Sequence, residues 1–364
     1  MMKHLYLKDK SINPDLLERP IIIWGCGNDG RKLCQLLKEK KIEVLAFCDS
    51  NRNLYHSLIM DIPVISCEEA LERNGINLVL AFHQWITIID NIKVKQNTEI
   101  FADYLYEETE QGIKCIVCGS LECAGSRAHF SPFLTERMFR GQDRETKLIH
   151  CRNCNFWFSK YRPDDFEMEK LYSGYRESEY TKQRQKYEPA YSAKFYETDG
   201  YVEKRKAELN DFLQGEIDYS MIQTLLDYGG DKGQYIPKYF RNAEKYVFEI
   251  SGSQVKEGVI LLNNLEQVKK KKFDFIMCCQ VLEHVSNPIE IIENMVEVLN
   301  EKGYLYIEVP NSNEFMAYSD IEIHEHINFF FKETMIAIGS KMNLKIKKLK
   351  TSSLCSVLFE KGQD

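Results

Sequence analysis

Four cysteines in two matched pairs form the clearest chemical pattern in the sequence. Two residues separate Cys115 from Cys118, and two residues separate Cys151 from Cys154. A two-residue gap lets both thiolates of a pair bind one ion, and four thiolates satisfy tetrahedral zinc. Because thiolates fill all four positions and leave none for water, the pattern predicts a structural zinc ion held in a zinc ribbon over residues 112–163.

A second pattern is a glycine-rich turn that follows an apolar run. The run ends at Asp227 and continues as Tyr-Gly-Gly-Asp-Lys-Gly to Gly233, a turn with little side-chain volume where a ligand can approach the backbone. Glu249 ends the next predicted strand, and an acid there can accept hydrogen bonds from two ribose hydroxyls. The pattern predicts a nucleoside-like cofactor, with a loop that only reverses the chain as the alternative.

Histidines follow two later strands of the same segment. His284 comes after one predicted strand, and His324-Glu325-His326 comes after the next. Open α/β sheets bind ligands at the carboxyl ends of their strands, and histidine titrates near neutral pH. His326 and His284 are therefore candidate catalytic residues, with a helix start as the alternative role of His284. A metal site at His324 and His326 is not predicted, because two histidines two positions apart usually satisfy local hydrogen bonds.

The segment from Leu225 to Glu360 resembles the class I S-adenosylmethionine-dependent methyltransferases. The glycine turn is similar to the family's first turn, with Asp231 in place of the middle glycine. The later runs FDFIMCCQVLEHVSNP and GYLYIEVPN resemble the family's fourth and fifth strands. The resemblance implies a class I methyltransferase fold with S-adenosylmethionine as its cofactor.

The same resemblance implies which residues hold the cofactor. Asp227 and Gly229 would lie at its amino-acid end, and Gln280 would lie near its sulfonium. Asn264 and Leu265 would contact adenine. The full set of implied cofactor residues is Asp227, Tyr228, Gly229, Gly230, Gly233, Glu249, Ile250, Asn264, Leu265 and Gln280.

The histidine and cysteine segments carry two further resemblances. The run HEHINFF resembles the Tyr-x-x-His segment of deoxysugar C-methyltransferases, with Ile323 in place of tyrosine, and a His-x-x-Phe-Phe element of sugar O-methyltransferase-like chains. The runs CIVCGS, HCRNCNFWFSKYRP and LYSGYRESEY resemble zinc-ribbon methyltransferases of sugar and surface-polysaccharide pathways. Together they imply a carbohydrate or nucleotide-sugar acceptor in a bacterial surface-polysaccharide or natural-product pathway, with O-, N- or C-methylation left open.

The amino-terminal segment has a glycine turn of its own. Gly25, Gly27 and Gly30 lie between the apolar run IIIW and a predicted helix, and Asp49 ends the next strand, a pattern typical of NAD binding. No catalytic constellation accompanies it, and the segment resembles a small domain of sugar-modifying acyltransferases and polysaccharide-pathway proteins. Nucleotide or nucleotide-sugar binding, a packing role and an NAD-linked bifunctional enzyme all stay open.

Alternating apolar runs and helix patterns place both glycine turns in α/β domains. We predict two doubly wound Rossmann-like domains joined by the small zinc ribbon, with boundaries at 1–108, 112–163 and 164–364. The runs LKIKKLK and CSVLFEK are separated only by TSSL, which predicts an antiparallel last strand in the carboxy-terminal sheet. The tyrosine-rich stretch after residue 164 is expected to form helices packed on that sheet, with a lid as the alternative.

The composition limits the classes of function. The 364 residues include 48 basic and 55 acidic side chains, for a net charge of −7. This balance gives no electrostatic basis for binding nucleic acid or an anionic membrane, and no apolar run reaches the roughly 18 residues of a membrane span. We expect a cytoplasmic enzyme with a small-molecule acceptor, and a homodimer is compatible with the sequence. A catalytically inactive scaffold is the alternative, because Asp231 narrows the space for a cofactor.

Overall fold

The computed structural model describes residues 2–7, 9, 11–82, 89–103, 108–175, 177–192, 198–250, 254–312 and 321–362. The chain forms two compact units. One comprises Met1–Glu107 with Asn313–Ile321, and the other comprises Glu108–Ser312 with Glu322–Asp364. The division into 1–108, 112–163 and 164–364 stays a prediction, and no boundary between compact units falls near residue 163.

The bounds of the regular elements are as follows. The strands in the described part of the chain are β1 (Met2–His4), β2 (Ile21–Trp24), β3 (Val44–Asp49), β4 (Leu58–Ile59), β5 (Ile62–Ser66), β6 (Asn77–Leu80), β7 (Glu99–Ala102), β8 (Glu108–Thr109), β9 (Cys123–Phe130), β10 (Thr146–Cys151), β11 (Phe156–Ser159), β12 (Thr224–Tyr228), β13 (Glu244–Phe248), β14 (Val259–Leu262), β15 (Phe273–Cys279), β16 (Leu299–Pro310), β17 (Ile321–Ile323), β18 (Asn328–Phe329), β19 (Leu344–Thr351) and β20 (Leu354–Lys361). The α-helices there are α1 (Asn28–Glu39), α2 (Cys67–Glu72), α3 (Pro132–Phe139), α4 (Asp165–Tyr172), α5 (Ser178–Gln185), α6 (Asp199–Leu213), α7 (Leu265–Lys269), α8 (Pro288–Val298) and α9 (Lys332–Lys341). None of these helices is long and apolar enough to cross a membrane.

The first unit is built on a sheet of order β1-β7-β6-β2-β3-β5-β4. Neighbouring strands are parallel, except that β4 and β5 are antiparallel. Ile21 and Ile23 of β2 pack with Leu33 of α1, whereas Ile22 belongs to a cluster that contains Ala70 of α2. Because successive strand residues point to opposite faces, helices bury both faces of this sheet.

The second unit contains a sheet that carries the cysteine pairs. Its order is β17-β9-β10-β11-β18, and β8 pairs with β9. The pairings of β9, β10, β11 and β18 are antiparallel. β17 and β18 come from residues 321–329, far along the chain from the predicted zinc ribbon. Strands of two or three residues show no readable periodicity, so the sequence could not indicate that this later segment completes the sheet.

The second unit also contains a sheet of order β14-β13-β12-β15-β16-β20-β19. Strands β12 to β16 pair in parallel, and β20 is antiparallel to both β16 and β19. The predicted mixed α/β fold and the predicted antiparallel last strand are therefore confirmed. The chain winds from β12 towards β14 and then returns through β15 to the other side, and open α/β sheets bind ligands at such a switch point.

Two apolar clusters cover the two faces of this sheet. Leu225 of β12 packs with Phe212 of α6. Leu226 lies in the opposite cluster, with Ile292 of α8. That second cluster also contains Phe156 of the cysteine sheet, so the two sheets of this unit share a core.

Candidate functional site

The glycine turn after β12 leaves little room for side chains. Gly229 has a φ of +73°, and a Cβ there would lie 2.6 Å from Cγ2 of Val281. A Cβ at Gly230 would lie 2.4 Å from Oδ2 of Asp227. Asp231 has a φ of 50°, in the left-handed region that aspartate tolerates better than most residues. The turn therefore keeps the backbone shape of a glycine turn although Asp231 replaces a glycine.

Asp227 is a buried acid with an unsatisfied oxygen. Its side chain is 2% exposed, and within the described part of the chain its Oδ2 has no hydrogen-bond partner. Burial raises the pKa of Asp227 to about 7, and the negative charges of Glu249 and Asp231 contribute. Because buried polar atoms in native proteins are nearly always paired, this carboxyl favours a ligand that brings a cationic or hydrogen-bond-donating group.

Glu249 lies directly after β13 and faces the same turn. Its Oε2 accepts a hydrogen bond of 3.1 Å from the amide of Asp231, and its Oε1 accepts one of 2.9 Å from the amide of Ile250. The side chain of Ile250 is 79% exposed. Both carboxylate oxygens of Glu249 thus accept backbone amides and hold the glycine turn, and its predicted contact with ribose stays a prediction.

Three other predicted cofactor residues follow neighbouring strands. Asn264 follows β14 and caps α7, because its Oδ1 accepts a hydrogen bond of 3.0 Å from the amide of Gln267. Leu265 begins that helix. Gln280 follows β15 with a φ of 58°, and its amide donates a hydrogen bond of 2.8 Å to the carbonyl of Glu308. All three lie at the same edge of the sheet as the glycine turn.

Sequence reasoning missed Glu308 and Arg205. Glu308, near the end of β16, is 3% exposed, and its carboxylate pairs with Arg205 of α6. It also accepts hydrogen bonds from the hydroxyl of Tyr306 at 2.8 Å and from Nε2 of Gln280 at 3.4 Å. Burial alone would lower the pKa of Arg205, but Glu308 raises it above its ordinary value. An acid inside the apolar run YIEVPN could have revealed Glu308, whereas Arg205 lies on a polar helix without a distinguishing pattern.

The residues after β15 connect the glycine turn with the histidines. Val281 lies against Gly229, and its carbonyl accepts a hydrogen bond of 3.0 Å from the amide of His284. The rings of His284 and His326 pack edge to face with their centroids 4.8 Å apart. The structure therefore brings the two predicted catalytic histidines together, next to the predicted cofactor turn.

Both rings are neutral near pH 7. Burial lowers the pKa of His326 to about 3, and the neighbouring His284 contributes. Burial also lowers the pKa of His284. Nδ1 of His284 lies 3.1 Å from the carbonyl oxygen of Glu325, which can only accept, so Nδ1 carries the proton and Nε2 carries the free electron pair. The pair can accept hydrogen bonds or bind a cation, but His326 is a weak base.

The side chain of Glu325 holds the loop that carries His326. Its Oε1 accepts hydrogen bonds from the hydroxyl of Tyr180 at 2.7 Å and from Nη1 of Arg184 at 2.8 Å. Burial would raise the pKa of Glu325, but Arg184 and His284 lower it below its ordinary value. Tyr180 belongs to the tyrosines predicted to pack on the sheet, and no sequence pattern revealed this contact.

The four predicted metal ligands meet at one point. Sγ of Cys115 lies 3.6 Å from Sγ of Cys154, and Sγ of Cys118 lies 3.5 Å from Sγ of Cys151. Four sulfurs at about 2.3 Å from a tetrahedral zinc ion would lie about 3.8 Å apart, so the cluster fits a metal ion after a small expansion. Cys123, a further cysteine close to these pairs in the sequence, lies outside the cluster.

The amino-terminal glycine turn is closed by Asp49. Oδ2 of Asp49 accepts a hydrogen bond of 2.8 Å from the amide of Cys26, and Oδ1 accepts one of 2.9 Å from the amide of Asn51. A Cβ at Gly30 would lie 1.9 Å from the carbonyl oxygen of Gly25. Both carboxylate oxygens of Asp49 thus already accept backbone hydrogen bonds. His83 and Trp85 follow the apolar run INLVLAF, which makes them candidate ligand contacts or packing residues from the sequence alone, and both lie outside the described residues.

Comparison with known proteins points to one part of the chain. Residues 194–349 match the model of a family described as a methyltransferase domain. No curated protein sequence matches the chain. The glycine turn, His284 and His326 all lie within the matched range.

Solved structures give a likeness over about half of the chain. An O-methyltransferase family protein from Burkholderia thailandensis is 12% identical, with 49% of this chain and 63% of that chain covered, at a TM-score of 0.36. The plantazolicin methyltransferase BpumL, in complex with S-adenosylhomocysteine and a triazolic analogue, is 14% identical, with 54% and 96% covered, at a TM-score of 0.38. The N-methyltransferase NodS from Bradyrhizobium japonicum WM9, in complex with S-adenosylhomocysteine, is 13% identical, with 50% and 99% covered, at a TM-score of 0.35. At these values the likeness carries nothing about activity, and the similarity to a methyltransferase domain rests on the family match over residues 194–349.

Proposed function

We propose that the chain is an S-adenosylmethionine-dependent methyltransferase that acts on a small carbohydrate or nucleotide-activated sugar. The observation that carries the proposal is the buried, unpartnered Oδ2 of Asp227 beside the glycine turn, within the range that matches a methyltransferase domain. The ammonium group of S-adenosylmethionine would supply the missing partner. The sugar acceptor rests on the sequence resemblance alone.

The cofactor would lie along the carboxyl ends of β12 to β15. Asp227 and Gly229 would hold its amino-acid end, and Glu249 would accept hydrogen bonds from its ribose. Asn264 and Leu265 would flank adenine. The remaining predicted contacts are Tyr228, Gly230, Gly233, Ile250 and Gln280.

The acceptor would lie on the histidine side of Val281. A hydroxyl of the acceptor would donate a hydrogen bond to the neutral ring of His326 or His284. When bound, S-adenosylmethionine would supply the methyl group, with its sulfur as the leaving group that keeps the electron pair. The acceptor's proton leaves through the histidine pair.

The four cysteines would hold a structural zinc ion. Cys115, Cys118, Cys151 and Cys154 fill a tetrahedral shell without leaving a position for water. Burial raises the pKa of the Cys151 thiol to about 12 and so favours its protonated form. A bound cation would lower this pKa and favour the thiolate. The ion would brace the sheet that shares a core with β12.

The test of this function is a transfer experiment with the full chain. S-adenosylmethionine with an isotope-labelled methyl group is mixed with a panel of nucleotide sugars, and the label is followed by mass spectrometry. Label on a sugar supports the whole proposal. Cofactor binding by calorimetry without label on any sugar would overturn the acceptor class, and binding of NAD in place of S-adenosylmethionine would overturn the function.

A further inference from the structure

A second cluster of metal-binding groups lies beside the predicted cofactor turn. Glu283, His284 and His326 each direct one candidate ligand atom into it, and all of these atoms lie within 4.8 Å of one another. The first two residues follow β15, and the third follows β17. The set contains two imidazoles and one carboxylate, whereas the other such cluster in the described part of the chain contains four thiols.

Glu283 provides the observation that points to a ligand. Its side chain is 1% exposed, and neither of its carboxyl oxygens has a hydrogen-bond partner among the described residues. Burying a carboxyl group without partners is costly, so native proteins almost always pair such a group or use it to bind a metal. Burial raises the pKa of Glu283 to about 8, and the negative charge of Glu308 contributes.

His284 faces the same gap with a free electron pair. Because its Nδ1 donates to the carbonyl oxygen of Glu325, its Nε2 is unprotonated, and this nitrogen lies 3.7 Å from Oε1 of Glu283. That separation is too long for a hydrogen bond between the two groups. Two electron-pair donors thus face each other across a gap in which a cation would bind both.

The surroundings of the histidines resemble those of metal-binding imidazoles in general. A metal-binding histidine usually donates its other N–H to a carbonyl or carboxylate, which fixes the ring, and His284 does so towards Glu325. The ring of His326 packs against His284. The ring of Tyr172 lies edge-on to His284 with centroids 6.0 Å apart, and its hydroxyl has no hydrogen-bond partner in the described ranges. With an ion bound, the hydroxyl of Tyr172 would donate a hydrogen bond to a water molecule or to a substrate oxygen on that ion.

We infer that Glu283, His284 and His326 bind a divalent first-row transition metal ion. Two imidazoles and one carboxylate suit zinc, manganese, iron or cobalt and leave at least one coordination position open. An acceptor hydroxyl on that position would lose its proton more easily, because the ion stabilises the oxyanion. With their electron pairs on the ion, His284 and His326 could not accept that proton, which would pass to a water molecule instead. The site itself does not rest on the proposed function.

The test uses cobalt(II) as the probe on the purified full chain. The metal already bound is counted by elemental analysis, loosely held ions are removed with a weak chelator, and cobalt is then added. The wild-type chain is expected to bind one further equivalent, with the weak visible bands of nitrogen and oxygen ligands and without the intense near-ultraviolet absorption of cobalt thiolates. The temperature of unfolding should rise with that equivalent, because the ion binds only the folded state.

Two variants locate the ion, and a third is their control. Glu283→Gln and His326→Gln should each lose the additional equivalent. His324→Gln should keep it, because His324 lies outside the cluster. Unfolding temperatures without cobalt show whether each variant folds. If either Glu283→Gln or His326→Gln fails to fold, the other still tests the site. Failure of the wild-type chain to bind the equivalent, or its retention in both variants, would overturn the site.

Titration with S-adenosylmethionine separates this inference from the proposed function. Cobalt binding without cofactor binding would leave the metal site standing and overturn the methyltransferase. If the chelator-treated protein still binds the cofactor and transfers methyl groups unchanged, and takes up no cobalt equivalent, the methyltransferase proposal stands and the metal site is overturned.

Discussion

The two glycine turns of the chain are held by the same kind of hydrogen bond, and they differ in the strand that precedes each turn. In each turn an acid at the end of the second strand accepts a hydrogen bond from a backbone amide of the turn: Asp49 from Cys26 at 2.8 Å, and Glu249 from Asp231 at 3.1 Å. The first strand differs, because β2 ends at Trp24 whereas β12 contains the buried Asp227 with an unpartnered oxygen. An acid at the end of the second strand therefore does not by itself reveal a nucleoside site, since clamping the turn already explains it. The unsatisfied acid in the first strand is what separates the two turns.

The largest expected effect is at Asp227. Asp227→Ala should weaken S-adenosylmethionine binding by about 3 kcal/mol, more than a hundredfold, because truncating one member of a buried charge pair costs about 2–5 kcal/mol. Calorimetric titration measures it. Asp211→Ala, an exposed aspartate on α6, is the matched control and should bind as the wild type does. Equal affinity in the two variants would remove the distinction between the glycine turns.

Glu249→Ala should have the next largest effect. The loss of hydrogen bonds between ribose and a charged group, together with a loosened turn, should weaken cofactor binding by about 1.5–3 kcal/mol. Glu244→Ala changes an exposed acid on the same strand and should leave the affinity unchanged. If Glu249→Ala binds the cofactor normally, this acid only clamps the turn, as Asp49 does.

The pH dependence of cofactor binding tests Asp227 in the wild-type chain. Its pKa is raised to about 7 by burial, so below pH 7 the free protein carries a protonated Asp227 that must lose its proton before it pairs with an ammonium group. The dissociation constant should therefore rise by up to about tenfold for each pH unit below 7 and level off above it. Asp227→Asn should bind weakly with no such slope. A pH-independent affinity in the wild-type chain would contradict the pairing.

Sequence patterns predicted the parts of this site that are local. The glycine turn, the acid after β13 and the two cysteine pairs are each read from a few adjacent residues, and the antiparallel last strand follows from the short gap between two apolar runs. Arg205 and Tyr180 could not be predicted, because their partners Glu308 and Glu325 lie more than one hundred positions away along the chain. Strands β17 and β18 could not be predicted either, because they are too short to show a periodic pattern.

The smallest expected effect is in the first turn, where Asp49→Ala removes the clamp. Two backbone amides lose their acceptor, so the segment from Gly25 to Arg31 should open more easily by about 1–2 kcal/mol. Amide hydrogen exchange by mass spectrometry measures this, with Glu43→Ala, which changes an exposed acid of the same unit, as the control. S-adenosylmethionine affinity should not change in either variant. The distinction between the two turns would be wrong if the wild-type chain bound NAD or a nucleotide sugar tightly and Asp49→Ala abolished that binding. Asp49 would then hold a ligand as well as the turn.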